Sequence, residues 1–183
     1  MPVLPALLLA FALAVPLSAN AQGRLPACSD ASPVTAWTNC TGTRAYPNGG
    51  IYIGEFTNGK RSGQGTMTFP SGEKYVGAYR DGVRSGQGTL TLPGGETYAG
   101  AFRNSKYAGR GTLRFSDGTT YDGDFWAGQL NGYGALTFPD GHKYVGEVRN
   151  GKRNGEGAEY AADGKVLRSG IWENNLFVSP KQR

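Results

Sequence analysis

The chain has 183 residues, among them 30 glycines, ten tyrosines, eight phenylalanines and three tryptophans. That many rings, placed in strict register, exclude the disordered class that a glycine-rich, weakly charged composition otherwise fits. A formal charge of +5 spread along the chain is below that of a dedicated nucleic-acid binder, so no nucleic-acid partner is expected, and two cysteines with one histidine are too few for a structural zinc.

Residues 1–21 hold no charged side chain. Val3 to Leu17 is an apolar run, and Ala19-Asn20-Ala21 is a small-x-small processing signal. The segment therefore reads as a secretory signal peptide cut between Ala21 and Gln22, although the basic residues that usually open such a leader are missing. A membrane anchor is the alternative, opposed by Pro2, Pro5, Pro16 and the short run. Export places the protein in the periplasm or outside the cell. An even cysteine count in an exported chain predicts a Cys28–Cys40 disulfide. Leu25-Pro26-Ala27-Cys28 also resembles a lipoprotein signal, but Gln22-Gly23-Arg24 separates it from the apolar run. Cys40, Gly42 and Gly49 fall where glycines recur in the units that follow. Residues 22–48 are thus expected to form an N-terminal cap, a degenerate half-unit pinned by the disulfide.

Residues 49–167 hold five tandem units. Their head tyrosines are Tyr52, Tyr75, Tyr98, Tyr121 and Tyr144, each followed two positions later by Gly54, Gly77, Gly100, Gly123 and Gly146. A glycine pair recurs in register, as Gly63/Gly65 in the first unit, and a closing glycine such as Gly72 ends each one. A fixed period of this length marks a repeat architecture. In the first unit, 52–57 alternates as a strand, Asn58-Gly59 opens a turn region running to Gly63, and 65–69 alternates again. Each unit is then a hairpin, with Tyr52, Gly54, Phe56, Met67 and Phe69 on an aromatic face and Ile53, Glu55, Thr57, Thr66 and Thr68 on a polar one. The glycines suit turns, sharp curvature or the close approach of a ring, and each tyrosine hydroxyl needs a partner.

This pattern resembles the MORN repeat (membrane occupation and recognition nexus), through Tyr52, Gly54, Glu55, Phe56, Gly59, Lys60, Gly63 and Gly65 and their counterparts. It departs from that repeat at Ala78, Ala101 and Asp124 in place of the glutamate, at Val148 in place of the ring, and at Ser105 in place of the turn glycine. The resemblance, to secreted MORN proteins of bacterial type, implies an all-β fold of tandem 23-residue hairpins in one elongated, twisted antiparallel sheet. It further implies a non-enzymatic scaffold acting through a protein partner, with membrane recognition as the family name has it.

Residues 168–183 read as a C-terminal cap: 170–175 looks like a first limb whose partner strand never arrives, and Ser179 to Arg183 as a frayed tail. Two basic columns are the candidate binding residues. Lys60, Arg61, Arg84, Lys106, Lys152 and Arg153 are placed in equivalent loops, and Arg80, Arg103 and Arg149 in an outer-face column that Trp126 shares. Such lines of charge fit acidic protein, anionic lipid or an envelope polymer, and they equally fit a solvated face. No catalytic set is visible and no cofactor is expected; His142 reads as a turn residue, and Asp122 and Asp124 as solvated outer-face carboxylates. The aromatic face must be covered, either by curling of the sheet or by pairing of two chains. The imperfect ends favour a homodimer.

Overall fold

The computed structural model describes residues 25–180. The signal peptide and its cut at Ala21/Gln22 lie outside the described residues, as do residues 181–183. Among the described residues, thirteen strands form a single antiparallel sheet in chain order. The cap strand is β1 (Cys40–Ala45). The first unit contributes β2 (Ile51–Thr57) and β3 (Lys60–Thr68), and the second β4 (Lys74–Arg80) and β5 (Val83–Thr91). The third contributes β6 (Thr97–Arg103) and β7 (Lys106–Arg114), and the fourth β8 (Thr120–Trp126) and β9 (Gln129–Thr137). The fifth contributes β10 (Lys143–Arg149) and β11 (Lys152–Tyr160), and β12 (Val166–Glu173) and β13 (Leu176–Pro180) close the C-terminal end.

The hairpin turn is tighter than expected. Asn58 and Gly59 both take left-handed φ, 49° and 71°. That is the two-residue turn whose twist matches the strands it joins, and Asn-Gly is its preferred pair. Lys60 to Gly63 are therefore strand residues, not loop, which corrects the placement of Lys60, Arg61, Arg84, Lys106, Lys152 and Arg153. Even Ser105 keeps this turn, at φ 63°, and its hydroxyl accepts the Arg84 N–H at 3.1 Å.

Each unit also carries a bulge after its head glycine, as at Gly54/Phe56. The bulge explains the spacing of tyrosine and glycine. Tyr52 turns back over its own strand, lies on Gly54 and on Gly65 of the next strand, and donates its hydroxyl to the Glu55 carbonyl at 3.0 Å. Tyr75, Tyr98, Tyr121 and Tyr144 do the same to the carbonyls of Ala78, Ala101, Asp124 and Glu147, at 3.0, 2.9, 3.1 and 2.8 Å. A side chain at either glycine would occupy the ring's space. The five head tyrosines are at most 1% exposed.

The rings then form one ladder along the sheet. Trp37 meets Phe56 at 4.9 Å, and Tyr52 meets Tyr79, Tyr75 meets Phe102, and Tyr98 meets Phe125 edge-on at 5.2, 5.0 and 4.9 Å. Edge-to-face contacts of this kind add stability beyond the area they bury. Val148 interrupts the ladder in the fifth unit, and Trp172 resumes it against Tyr144 at 5.3 Å. The aromatic face is thus covered within one chain, and covering the rings gives no reason for two chains to pair through it.

Burial also sets an alkaline limit. It pushes the phenols of Tyr75, Tyr79, Tyr98, Tyr121 and Tyr144 up to about 12 from 10.0, and Tyr52 upward as well. A raised phenol pKa favours the neutral, folded form. The contribution is therefore complete below pH 10 and is lost as pH rises through about 12. We expect absorbance at 295 nm to show these phenols silent until the sheet signal in circular dichroism collapses between pH 10 and 12. Phenolate appearing at its ordinary midpoint in a folded sheet would contradict the ladder.

The segment before β1 is tied to the N-terminal edge of the sheet. Cys28 and Cys40 form the expected disulfide, with Sγ–Sγ 2.10 Å, closing a separation of 12 residues. Such a loop contributes about 3 kcal/mol in the chain-entropy account. Residues 26–28 bridge to Thr41 on the outer edge of β1. At the other end the missing partner strand is present: β13 pairs with β12 from Gly170↔Pro180 to Glu173↔Leu176. Ser179 and Pro180 belong to that strand, so the expected fraying does not begin at Ser179. Asn174-Asn175, both at left-handed φ, supplies the turn that the expectation lacked.

Candidate binding surface

The hairpin geometry splits the basic columns between two faces. Arg61 pairs with Phe56, Arg84 with Tyr79 and Arg153 with Val148, all on the ring face. Arg61 lies 5.1 Å from the Tyr79 ring centre and donates from Nη2 to the Gly82 carbonyl at 2.6 Å. Arg84 lies 5.4 Å from the Tyr75 ring and pairs with Glu73 at 3.1 Å. Arg153 lies 4.3 Å from the Trp172 ring and pairs with Glu159 at 3.1 Å. These three guanidiniums roof the tyrosine ladder and are committed to packing. In the third and fourth units the same place is taken by Tyr107 and Leu130.

Lys60, Arg80, Arg103, Lys106, Arg149 and Lys152 are exposed on the opposite, outer face. They form one row at the hairpin tips, because Arg103 pairs with Lys106 and Arg149 with Lys152. Among the described residues none of the six makes an ion pair. Trp126 and Gln129 interrupt the row in the fourth unit, and the Trp126 ring is 67% exposed.

A second feature of the outer face has little signal in the sequence. The glycines pair strand to strand in one line, from Gly42↔Gly54 through Gly100↔Gly111 to Gly157↔Gly170. On the side away from the rings this line is bare backbone, and an open groove of about 720 Å³ crosses the middle of the sheet there, between walls such as Thr89, Val76 and Gln87. Beside it, Glu55, Asp124 and Glu147 fill the bulges. Their carboxylates accept the peptide N–H of Gln64, Tyr133 and Glu156 at 2.9, 3.1 and 3.2 Å. Asp124 is thus turned to its own backbone. Asp124 also faces Arg110 at 4.0 Å, and Asp122 accepts from the Thr112 hydroxyl at 2.9 Å and faces the same guanidinium at 3.9 Å. His142 sits in a turn beside Asp140, 2.9 Å away, where its peptide N–H and ring hold the Asp140 carboxyl below the usual range. Among the described residues no cluster of His, Cys, Asp and Glu could hold a metal, and no helix is long and apolar enough to cross a membrane.

One continuous sheet of in-register hairpins, with its rings committed inward and a regular outer face, defines a repeat protein of the binding and scaffold class. The MORN repeat model matches residues 52–74, 75–97, 98–120, 121–143 and 144–166. The chain belongs to the MORN-repeat family, whose repeats are generally non-enzymatic binding elements. No curated protein sequence matches it. Among solved structures it is similar to the SAS-4 (dCPAP) TCP domain of Drosophila melanogaster, in complex with a proline-rich motif of Ana2 (dSTIL). The identity is 14%, over 68% of this chain and 67% of that one, with a TM-score of 0.44. It is similar also to the TCP10 domain of Danio rerio CPAP, at 15% identity over 71% of this chain and 66% of that one, with a TM-score of 0.32.

Proposed function

We propose that the protein is an exported, non-enzymatic scaffold of the cell envelope or exterior that holds a protein partner on its outer face. The observation that carries this reading is the division of labour between faces. The ring face is filled by its own ladder and arginine roof, whereas the outer face keeps six cations and Trp126 without partners of their own among the described residues. Exposed Arg and Trp are the residue types that anchor protein interfaces. Export rests on the leader read in residues 1–21 and fits the Cys28–Cys40 disulfide. Crosslinking in the native envelope, with wild-type protein and with Arg80, Arg103, Lys106 and Arg149 changed to glutamine, tests it. A protein adduct lost in the variant is expected; identical adducts from both would overturn the reading.

The unpaired cation row also favours a second reading, peripheral binding of anionic lipid or an envelope polymer. Sedimentation with phosphatidylglycerol vesicles at two salt concentrations separates the two. Salt-sensitive binding to bare vesicles belongs to the second reading alone.

A further inference from the structure

We propose that a hollow at the tip of the third repeat docks an acidic side chain of the partner, in the place of a carboxylate that the chain itself supplies in three other repeats. The inference deepens the protein-binding reading and rests on it.

The repeats supply their own template. In the first, fourth and fifth, Glu55, Asp124 or Glu147 reaches into the bulge of its hairpin and accepts a peptide N–H there. In the third repeat Ala101 stands at this place and offers Arg110 no such acceptor. The glycine at the bulge nevertheless keeps its backbone: φ is 60° at Gly109 and 59° at Gly63. At Gly63 the Glu55 carboxylate fills the space beside the glycine. At Gly109 the nearest atom to a built Cβ is the Ala101 methyl, 3.8 Å away. The glycine keeps its conformation without the carboxylate, while Ala101 pairs with Ala108, a pairing that Glu55, Asp124 and Glu147 do not make across their hairpins.

At this tip lies a hollow of about 670 Å³, lined by Ala101, Arg103, Lys106, Ala108 and Trp126 among others. Strand alternation points these five side chains to the outer face. Ala108 widens it, since the other repeats carry Ser62, Ser85, Asn131 and Asn154 there. The size suits a side chain with its neighbours, and apolar walls with a few convergent charges are the usual makeup of a binding pocket. Charge selects the ligand. Arg103 and Lys106 stand at the rim, and the carboxylates nearest to it in sequence register, Asp122 and Asp124, face Arg110 at 3.9 and 4.0 Å. A carboxylate entering here forms charge-assisted hydrogen bonds, while an adjacent apolar group covers Trp126. The second repeat also lacks its carboxylate, at Ala78, but its tip has Asp81 next to Arg80 in sequence and Val83 facing Arg80 where the third repeat has Lys106, so its formal charges cancel. The expected ligand is therefore a Glu or Asp flanked by apolar residues.

Emission of Trp126 reports binding, because Trp37 and Trp172 are buried. The probe is a terminally blocked pentapeptide with glutamate between leucines, set against the same peptide with glutamine. The glutamate peptide should shift Trp126 emission to the blue and bind about tenfold more tightly than the glutamine form. Ala101→Glu restores the chain's own carboxylate. It should keep or raise the thermal midpoint and abolish the shift. The surface double variant Arg103→Gln, Lys106→Gln should also abolish it, and it does not depend on how Ala101→Glu folds. Equal binding of both peptides, or binding unchanged in the double variant, would overturn the site. So would anionic vesicles that bind both variants while neither peptide binds. Crosslinked partner that persists in Ala101→Glu but is lost in the four-residue glutamine variant would sink this site and leave the scaffold reading standing.

Discussion

Replacing Tyr98 by alanine is expected to cost about 4 kcal/mol, near the upper range for a buried ring. Tyr98 is fully buried in the central unit. Its ring packs against Gly100 and Gly111, stacks on Tyr107 at 3.9 Å, and meets Phe102 and Phe125 edge-on at 5.1 and 4.9 Å. Truncation removes these contacts and strands the Ala101 carbonyl, which the hydroxyl holds at 2.9 Å. The hole cannot close easily, because its floor is two glycine backbones fixed in the strand ladder. Tyr98→Phe keeps the ring and loses only the hydrogen bond, so it should cost about 1 kcal/mol. Urea unfolding of the two variants beside the parent checks both figures. A parent-like midpoint for Tyr98→Ala would mean that the ring lies outside the core. Units in such a sheet contact only their neighbours, so a break in the third unit also divides the molecule. The denaturation slope should fall along with the midpoint.

Gly77→Ala is expected to cost about 3 kcal/mol although it adds a single methyl. A Cβ built on Gly77 lies 2.5 Å from the Gly88 Cα and 2.6 Å from the Gln87 carbonyl oxygen, with the Tyr75 hydroxyl at 2.7 Å. A flexible side chain could swing aside. Two of these three atoms are backbone of β5, paired with β4 at this very position, so the strands must part. Gly94 is the control. Nothing lies within 4 Å of its built Cβ and its φ is not left-handed, so Gly94→Ala should change stability by no more than about 0.5 kcal/mol. Thermal melts of the two single-methyl variants decide the matter. Equal effects would show that the glycine line serves chain flexibility and not the seating of the rings.

The glycines separate what the period specifies from what strand register specifies. Their period identified hairpins, because a turn and a close approach both need a residue without Cβ, and both recur once per unit. The period could not say which glycine did which. Gly59 and Gly72 are turn residues, Gly63 sits at a bulge, and Gly54 and Gly65 seat the Tyr52 ring. Nothing in the spacing separates these roles. The deciding fact is the bulge, which arises only when two strands are in register.

The basic columns failed in a similar way. A turn region running from Asn58 to Gly63 places Lys60 and Arg61 together in a loop. The two-residue turn puts them in a strand, and in a strand neighbours point to opposite faces. Lys60 goes to solvent and Arg61 to the rings of Tyr52 and Tyr79. An arginine one place after the first strand residue, with aromatic residues at the facing positions, was the available signal.

By itself, then, the sequence determined the repeat, the all-β class, the hairpins joined in one sheet, which face carries the rings, and the pairing of Cys28 with Cys40. These are local or periodic properties: alternation, turn chemistry and a count of two cysteines. Tertiary structure alone decided that one chain covers its own rings, that three arginines roof them, that β13 pairs with β12, and that a hollow lined by Ala101 lies beside Trp126. Each of these depends on residues from neighbouring hairpins meeting across the sheet. Position along the chain carries the period of those meetings, and only strand register carries their geometry.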